Sequence, residues 1–228
     1  MTYAIAPHAI PSVPVAGTDM RFPLHRIYCI GRNYADHAKE MGAEIDRKQP
    51  IFFNKPADAV VIGNSDVAYP SATNDLHHEV EMVVALATGG RDIAVEHALE
   101  HVYAYGVGLD LTRRDLQAAA KSKGNPWDSA KGFDQSAPVS NLHRASEIGH
   151  PQNCIISLHV NGEPRQSSNI KTMIFSVAEI IHELSKLYNL QPGDLIFTGT
   201  PAGVAALVKG DRFQAELEGV AVLEGRIV

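Results

Sequence analysis

The sequence predicts one strand-rich α+β domain with few helices. Three observations carry this expectation. Apolar residues fall in short stretches, such as 26–30, 51–54, 80–86, 102–109, 155–160 and 195–197, separated by Gly, Pro and polar turns. Asn161-Gly162 is a strong hairpin signal, and Glu218-Gly219 centres a second hairpin near the C-terminus. Helical periodicity is confined to a few segments, and no internal repeat or low-complexity linker divides the chain.

At 228 residues there is room for one large domain or two small ones. A composition with 45% hydrophobic and 20% charged residues is that of an ordinary globular protein. The net charge of -6, without a Lys/Arg run, argues against a nucleic-acid surface. Apolar runs are too short to cross a bilayer, and the Pro-rich start lacks the positive charge of a signal peptide. Cys29 and Cys154 lie in strand-like apolar stretches with no C-x-x-C, so each is expected as a buried free thiol in a reducing compartment. The expected location is cytoplasmic, with no nucleic-acid or membrane partner.

Residues 1–25, with Pro7, Pro11, Pro14 and Pro23, read as an extended N-terminal arm, and 26–228 as the main domain. A strand at 26–30 runs into the polar turn Gly31-Arg32-Asn33-Tyr34 and then a short helical stretch over 35–41, stopped by Gly42. The charged stretch 42–49 has few residues to pack and is expected to be mobile. Ile51 to Asn54 is an apolar segment ended by Lys55-Pro56, and 94–101 reads as a helix. The strand over 102–109 delivers Asp110, and Thr112 can cap a helix over 113–121 with Asp115 at its third position. Residues 121–140 read as a long irregular loop, a feature more often functional than not. Ser176 to Glu179 spells a capping box for a helix running to Tyr188, with Val177, Ile180, Ile181, Leu184 and Leu187 in one stripe.

The chemistry centres on residues 76–86. From Val80 onward the stretch is apolar on both alternating faces, the pattern of an inner strand covered on both sides. Yet Glu79 and Glu81 stand at its start, and a two-residue period points both carboxylates to one side. Two like charges at the edge of a core are costly unless a cation neutralises them. A divalent ion suited to oxygen ligands meets that need; the plainer alternative is that both carboxylates reach solvent past the end of the sheet. Asp110 is the natural third oxygen ligand, or else a turn or capping residue.

His37 and Glu40 share a helix face, where a carboxylate orients an imidazole and the pair can activate water; a solvated face of charges is the alternative. Arg114 can clamp a carboxylate, Lys131 can neutralise a developing oxyanion, and the loop Gly199-Thr200-Pro201-Ala202-Gly203 can bind an anion through its backbone. Each has an ordinary reading too, as an exposed cation or a plain turn.

Taken in order, these pieces resemble the fumarylacetoacetate hydrolase family. The matching stretches are Tyr28-Cys29-Ile30-Gly31-Arg32-Asn33-Tyr34-Ala35-Asp36-His37, His77-His78-Glu79-Val80-Glu81, and Gly108-Leu109-Asp110-Leu111-Thr112-Arg113-Arg114-Asp115. Pro126-Trp127, Lys131-Gly132-Phe133-Asp134, Val160-Asn161-Gly162-Glu163 and 193–201 follow. They span residue 26 to the C-terminus and are jointly specific. The chain looks like the short members, which lack an extra N-terminal domain.

The resemblance implies a roll of mixed β-sheets of the family's C-terminal-domain type, a homodimer, and a Mg2+ or Mn2+ site, with Ca2+ also compatible. It implies Glu79, Glu81 and Asp110 as metal ligands, His37 and Glu40 as a water-activating pair on a closing lid, and Lys131 as a catalytic cation. Arg32, Asn33, Arg114, Gln117 and Thr200 are expected to bind the keto acid. The implied reaction is hydrolysis of a carbon–carbon bond in a 2,4-diketo acid, with 3-fumarylpyruvate of aromatic (gentisate) breakdown as the best single substrate. Acylpyruvate hydrolysis, 2-oxoacid decarboxylation or isomerisation of a hydroxymuconate-type acid would use the same site. A non-catalytic metal-binding role is the remote alternative.

Overall fold

In the computed structural model, which describes residues 2–40, 47 and 49–228, two sheets dominate. The larger has six strands in the order His143–Arg144, Val102–Leu109, Val80–Leu86, Leu195–Phe197, Ile27–Gly31, Ile51–Lys55. Its neighbours are antiparallel except Leu195–Phe197 and Ile27–Gly31, which run parallel. The smaller is antiparallel, in the order Glu163–Asn169, Ile155–Val160, Arg212–Leu217, Ala221–Arg226. The expected strand-rich α+β architecture with few helices is what the chain forms.

Val80–Leu86 lies inside the larger sheet, and every residue of it is buried. Its two faces feed two cores. Val80, Met82, Val84 and Leu86 pack with Ile156, Leu158 and Phe213 of the smaller sheet and with Ile180, Ile181 and Leu184 of the helix Val177–Leu187. Val83 and Ala85 pack with Val13, Phe22, Val139 and Phe197. Burying an aliphatic side chain of this size contributes about 1.5–3 kcal/mol, so the strand is anchored from both sides. That anchoring holds the residues at its N-terminal end still.

Local signals explain the boundaries. Ser176 and Glu179 form the capping box in full. Asn161 and Gly162 both take positive φ, 53° and 82°, as a two-residue hairpin turn requires. Both cysteines are free thiols; Cys29 is buried as expected, whereas Cys154 is only half-buried.

Several expectations differ from the structure. Residues 12–25 are not simply an extended arm. Ser12–Pro14 pairs antiparallel with Arg21–Pro23, and Val13, Val15, Phe22 and Leu24 are buried in the second core. The apolar residues between the prolines made that possible. The helical stretch expected over 94–101 is present, as the 3-10 helix Val95–His101. Thr112 does not cap the following helix: its hydroxyl donates to Asp110 O, and the helix is Arg114–Lys123. Asp115 instead accepts from Thr73 Oγ1 and Asn74 N, fastening the helix to the preceding loop. The loop expected over 121–140 contains a one-turn helix, Asp128–Lys131. Most of the stretch expected to be mobile, 42–49, lies outside the described residues. No helix among the described residues is long and apolar enough to cross a membrane.

Candidate active site

Glu79 immediately precedes the strand Val80–Leu86 and Glu81 is its second residue, on the face that Val83 and Ala85 share. Asp110 follows the neighbouring strand Val102–Leu109, and its N–H donates to Glu79 O at 2.9 Å. That bond sets the third carboxylate against the other two. One oxygen from each of Glu79, Glu81 and Asp110 lies within 4.8 Å of the others. Glu79 is 5% exposed, Glu81 1% and Asp110 0%, so solvent does not neutralise them, contrary to the plainer alternative.

Three cations reach the cluster. Lys131, from the one-turn helix, donates to Glu79 Oε2 at 2.7 Å and to Asp110 Oδ2 at 2.6 Å. Lys55 ends the edge strand and brings its ammonium within 2.8 Å of Asp110 Oδ1, while donating to Leu111 O and Lys131 O. Arg114 donates to Glu79 Oε1 at 2.6 Å and to Gln117 Oε1 at 2.6 Å. Glu81 differs from its neighbours. It accepts Gly199 N–H at 2.7 Å and makes no ion pair among the described residues.

The titration behaviour follows this asymmetry. Burial works to raise the Glu79 carboxyl, but Lys131 and Arg114 outweigh it and hold the group well below the usual carboxylate range. Burial pushes Glu81 well above its ordinary value, and repulsion from Asp110 and Glu79 adds to the shift. Burial lowers Lys131, but Asp110 and Glu79 more than compensate and raise it. A carboxylate with one backbone donor and two like-charged neighbours fits a divalent cation. The all-oxygen donor set matches Mg2+ or Mn2+, and Asp110 Oδ1 is a buried acceptor with no aligned hydrogen bond.

His37 lies in the helix Ala35–Glu40, is 5% exposed, and lines the same pocket as the three carboxylates. Its Nδ1 contacts Glu40 Oε2 at 3.1 Å, so the expected pair forms. Glu40 also accepts Gly203 N–H at 3.2 Å to either oxygen. The loop 199–203, read as able to bind an anion or as a plain turn, thus gives its Gly199 and Gly203 amides to two protein carboxylates. Gly199 suits this role: its φ is +91°, and a Cβ there would lie 2.6 Å from Asn33 Cβ.

The residues expected on the substrate side divide. Arg32, Arg114, Gln117 and Thr200 line the pocket. Arg114 is committed to Glu79, however, and the Thr200 hydroxyl donates to Val80 O while accepting from Gln166 Nε2. Asn33 is not among the residues that line the pocket. It is fully buried; its amide donates to Phe175 O and Thr198 O, and its Oδ1 accepts Phe175 N–H. Those bonds use the amide in the fold, joining three segments.

Lys55, Lys121, Phe53 and Trp127 also line or support the site and were missed. Lys55 read only as the stop of a strand. Lys121 could have been found, because Arg114, Gln117 and Lys121 fall at helical spacing i, i+3, i+7 on one face. Gln166 was missed as well. It joins His78, Val80, Thr200 and Pro201 behind the carboxylates, a link across 86 residues of sequence to Val80 that no local pattern signals.

The family model described as fumarylacetoacetate (FAA) hydrolase C-terminal matches residues 26–228. The chain is 42% identical over 183 residues to a fumarylpyruvate hydrolase from Ralstonia, covering 79% of this chain and 95% of that one. It is 40% identical over 204 residues to an oxaloacetate tautomerase from Escherichia coli, covering 89% and 93%. Among solved structures, it resembles a fumarylpyruvate hydrolase from Pseudomonas aeruginosa in complex with Mn2+ and pyruvate. The TM-score is 0.97 and the identity 49%, covering 100% of this chain and 99% of that one.

Proposed function

We propose a reaction from one premise: the chain belongs to the fumarylacetoacetate hydrolase family. It is an enzyme that hydrolyses a carbon–carbon bond in a 2,4-diketo acid, and its best substrate is 3-fumarylpyruvate, cleaved to fumarate and pyruvate. The observation that carries this reading is one pocket lined by His37, Glu79, Glu81, Asp110 and Lys131. It joins a base to a cluster made for a cation. The Mn2+ and pyruvate held by the Pseudomonas relative support a divalent metal, Mg2+ or Mn2+, and a pyruvyl group at this site. A homodimer belongs to the same reading.

Glu79, Glu81 and Asp110 would hold a divalent ion, which when bound would supply positive charge to the keto-acid end of the substrate. The chain's own groups do the rest. Glu40 on Nδ1 orients His37, leaving Nε2 to take a proton from water. The resulting hydroxide adds to the 4-keto carbon. Lys131 spends two N–H groups on Glu79 and Asp110 and has a third for the oxyanion. The bond between C3 and C4 then breaks with its electron pair on the pyruvyl fragment, and the proton on His37 returns to C3.

The Escherichia coli relative favours a second reading, oxaloacetate tautomerisation, which needs proton transfer but no water attack. One assay series separates the two. Purified protein with Mg2+ or Mn2+ is given fumarylpyruvate, acetylpyruvate and oxaloacetate. Fumarylpyruvate hydrolysis should show the highest kcat/KM. Faster turnover of oxaloacetate would displace the hydrolase reading.

A further inference from the structure

The outer wall of the pocket carries cations that the carboxylate cluster does not use. The helix Arg114–Lys123 turns Arg114, Gln117 and Lys121 toward the pocket, while Asp115, Ala118, Ala119 and Ser122 face solvent. Arg114 is held by Glu79. Lys121 is not engaged in this way: its Nζ lies 5.2 Å from the centroid of the Trp127 ring, and it makes no ion pair among the described residues. Arg32 reaches the same pocket from the turn after Ile27–Gly31, at φ 60°, and is likewise without an ion pair among the described residues. Phe53 and Trp127 line the same pocket, with ring centroids 5.9 Å apart and planes tilted by 56°; Lys121 Nζ lies near the Trp127 ring and Lys131 Nζ 4.9 Å from the Phe53 centroid.

Such a wall has a chemical meaning. Neither Lys121 nor Arg32 has an ion-pair partner among the described residues; cations gathered in a half-buried pocket repel one another, and Glu79 offsets this only in part at Lys121. Burial, helped by Arg114 and Arg32, holds the Lys121 ammonium down to about 8. An anion entering the pocket relieves that repulsion. The inner wall already has a partner for the keto-acid end of a substrate, so the outer cations face its far end. The plain alternative is that Lys121 only packs its stem and charge against Trp127.

We infer that Lys121, assisted by Arg32, binds a second carboxylate at the far end of the substrate and so selects 2-oxo dicarboxylic acids over monocarboxylic ones. Phe53 and Trp127 flank the apolar middle of such a chain. The inference rests on the proposed diketo-acid site and adds to it a class of acyl group. It places fumaryl, with its terminal carboxylate, above acetyl.

Two probes isolate the far carboxylate. 2-Oxoheptanedioate and 2-oxoheptanoate have the seven-carbon length of fumarylpyruvate and differ only at the distal end. Binding to the Mg2+-loaded protein is measured by calorimetry, without turnover. The wild type should prefer the diacid by roughly 10- to 100-fold, the worth of a charge-assisted hydrogen bond. Lys121→Met keeps the apolar stem over Trp127 and should lose that preference, the monoacid serving as internal reference. Lys121→Arg should retain it. Equal binding of the two acids by wild type, or an undiminished preference in Lys121→Met, overturns the inference. Diacid preference without fumarylpyruvate hydrolysis would instead remove the proposed reaction and leave the second carboxylate site standing.

Discussion

The Lys131 ammonium sits 2.6 Å from Asp110 Oδ2, with the two side chains 3% and 1% exposed. A pair this deeply buried is a poor source of net stability, but breaking it strands a charge. Lys131 carries this burden twice, because it also meets Glu79 at 2.7 Å.

Lys131→Met should therefore destabilise the chelated protein by about 3–5 kcal/mol, the usual cost of orphaning a buried charge. Saturating Mn2+ should recover much of that loss by supplying positive charge to the same carboxylates. Thermal unfolding in EDTA and in Mn2+ measures both. Equal stability of variant and wild type in EDTA would show that Lys131 is not their counter-charge.

Glu81 makes the opposite prediction. Burial and its carboxylate neighbours push it well above its ordinary value, so a neutral side chain there costs little. Glu81→Gln should leave the chelated protein as stable as wild type, or more so, and bind Mn2+ much more weakly. In wild type, EDTA should abolish turnover and Mg2+ or Mn2+ should restore it. Full activity in a rigorously chelated sample would remove the metal from the mechanism.

The sequence revealed the parts of this site that obey short-range periodicity. Glu79 and Glu81 share a face because a strand alternates, and His37 meets Glu40 because a helix turn spans three residues. Two apolar faces on Val80–Leu86 correctly predicted a strand between two cores. What stayed hidden depends on long-range closure. Lys55 reaches Asp110 across 55 residues of sequence, and Gln166 reaches Val80 and Thr200 from the other sheet. Asn33 shows the converse. A polar residue in a turn beside the site looked free to meet substrate, yet its bonds to Phe175 and Thr198, 142 and 165 residues away, use it in the fold. Gly199 likewise read as a donor for a ligand, while its N–H holds Glu81.

Lys121 gives the pocket a pH dependence. Burial, with Arg114 and Arg32, holds it down to about 8, opposed by Glu79. Below that pH the ammonium is charged and attracts a distal carboxylate. Above it, binding the carboxylate requires taking up a proton. Affinity for 2-oxoheptanedioate should therefore fall as pH rises from 7 to 9.5, while that for 2-oxoheptanoate changes less. A constant ratio of the two dissociation constants across that range would exclude Lys121 as the titrating contact.

His37 and Glu40 make a split prediction. Glu40 holds His37 Nδ1 at 3.1 Å and is itself held by Gly203 N–H at 3.2 Å, so it is fixed between the helix Ala35–Glu40 and the loop that also positions Glu81. Glu40→Gln keeps an acceptor for Gly203 and the size of the side chain, but it removes the negative charge that stabilises a protonated His37. Taking a proton from water then becomes harder, and hydrolysis should fall by roughly 10²–10⁴-fold, the range for loss of general-base assistance. The carboxylates and Lys131 are untouched, so binding of oxalate to the metal-loaded protein should change little. The two measurements belong in the same variant. Near wild-type hydrolysis would place the base elsewhere. A matching loss of oxalate affinity would mean that Glu40 holds the loop 199–203 in place rather than tuning His37.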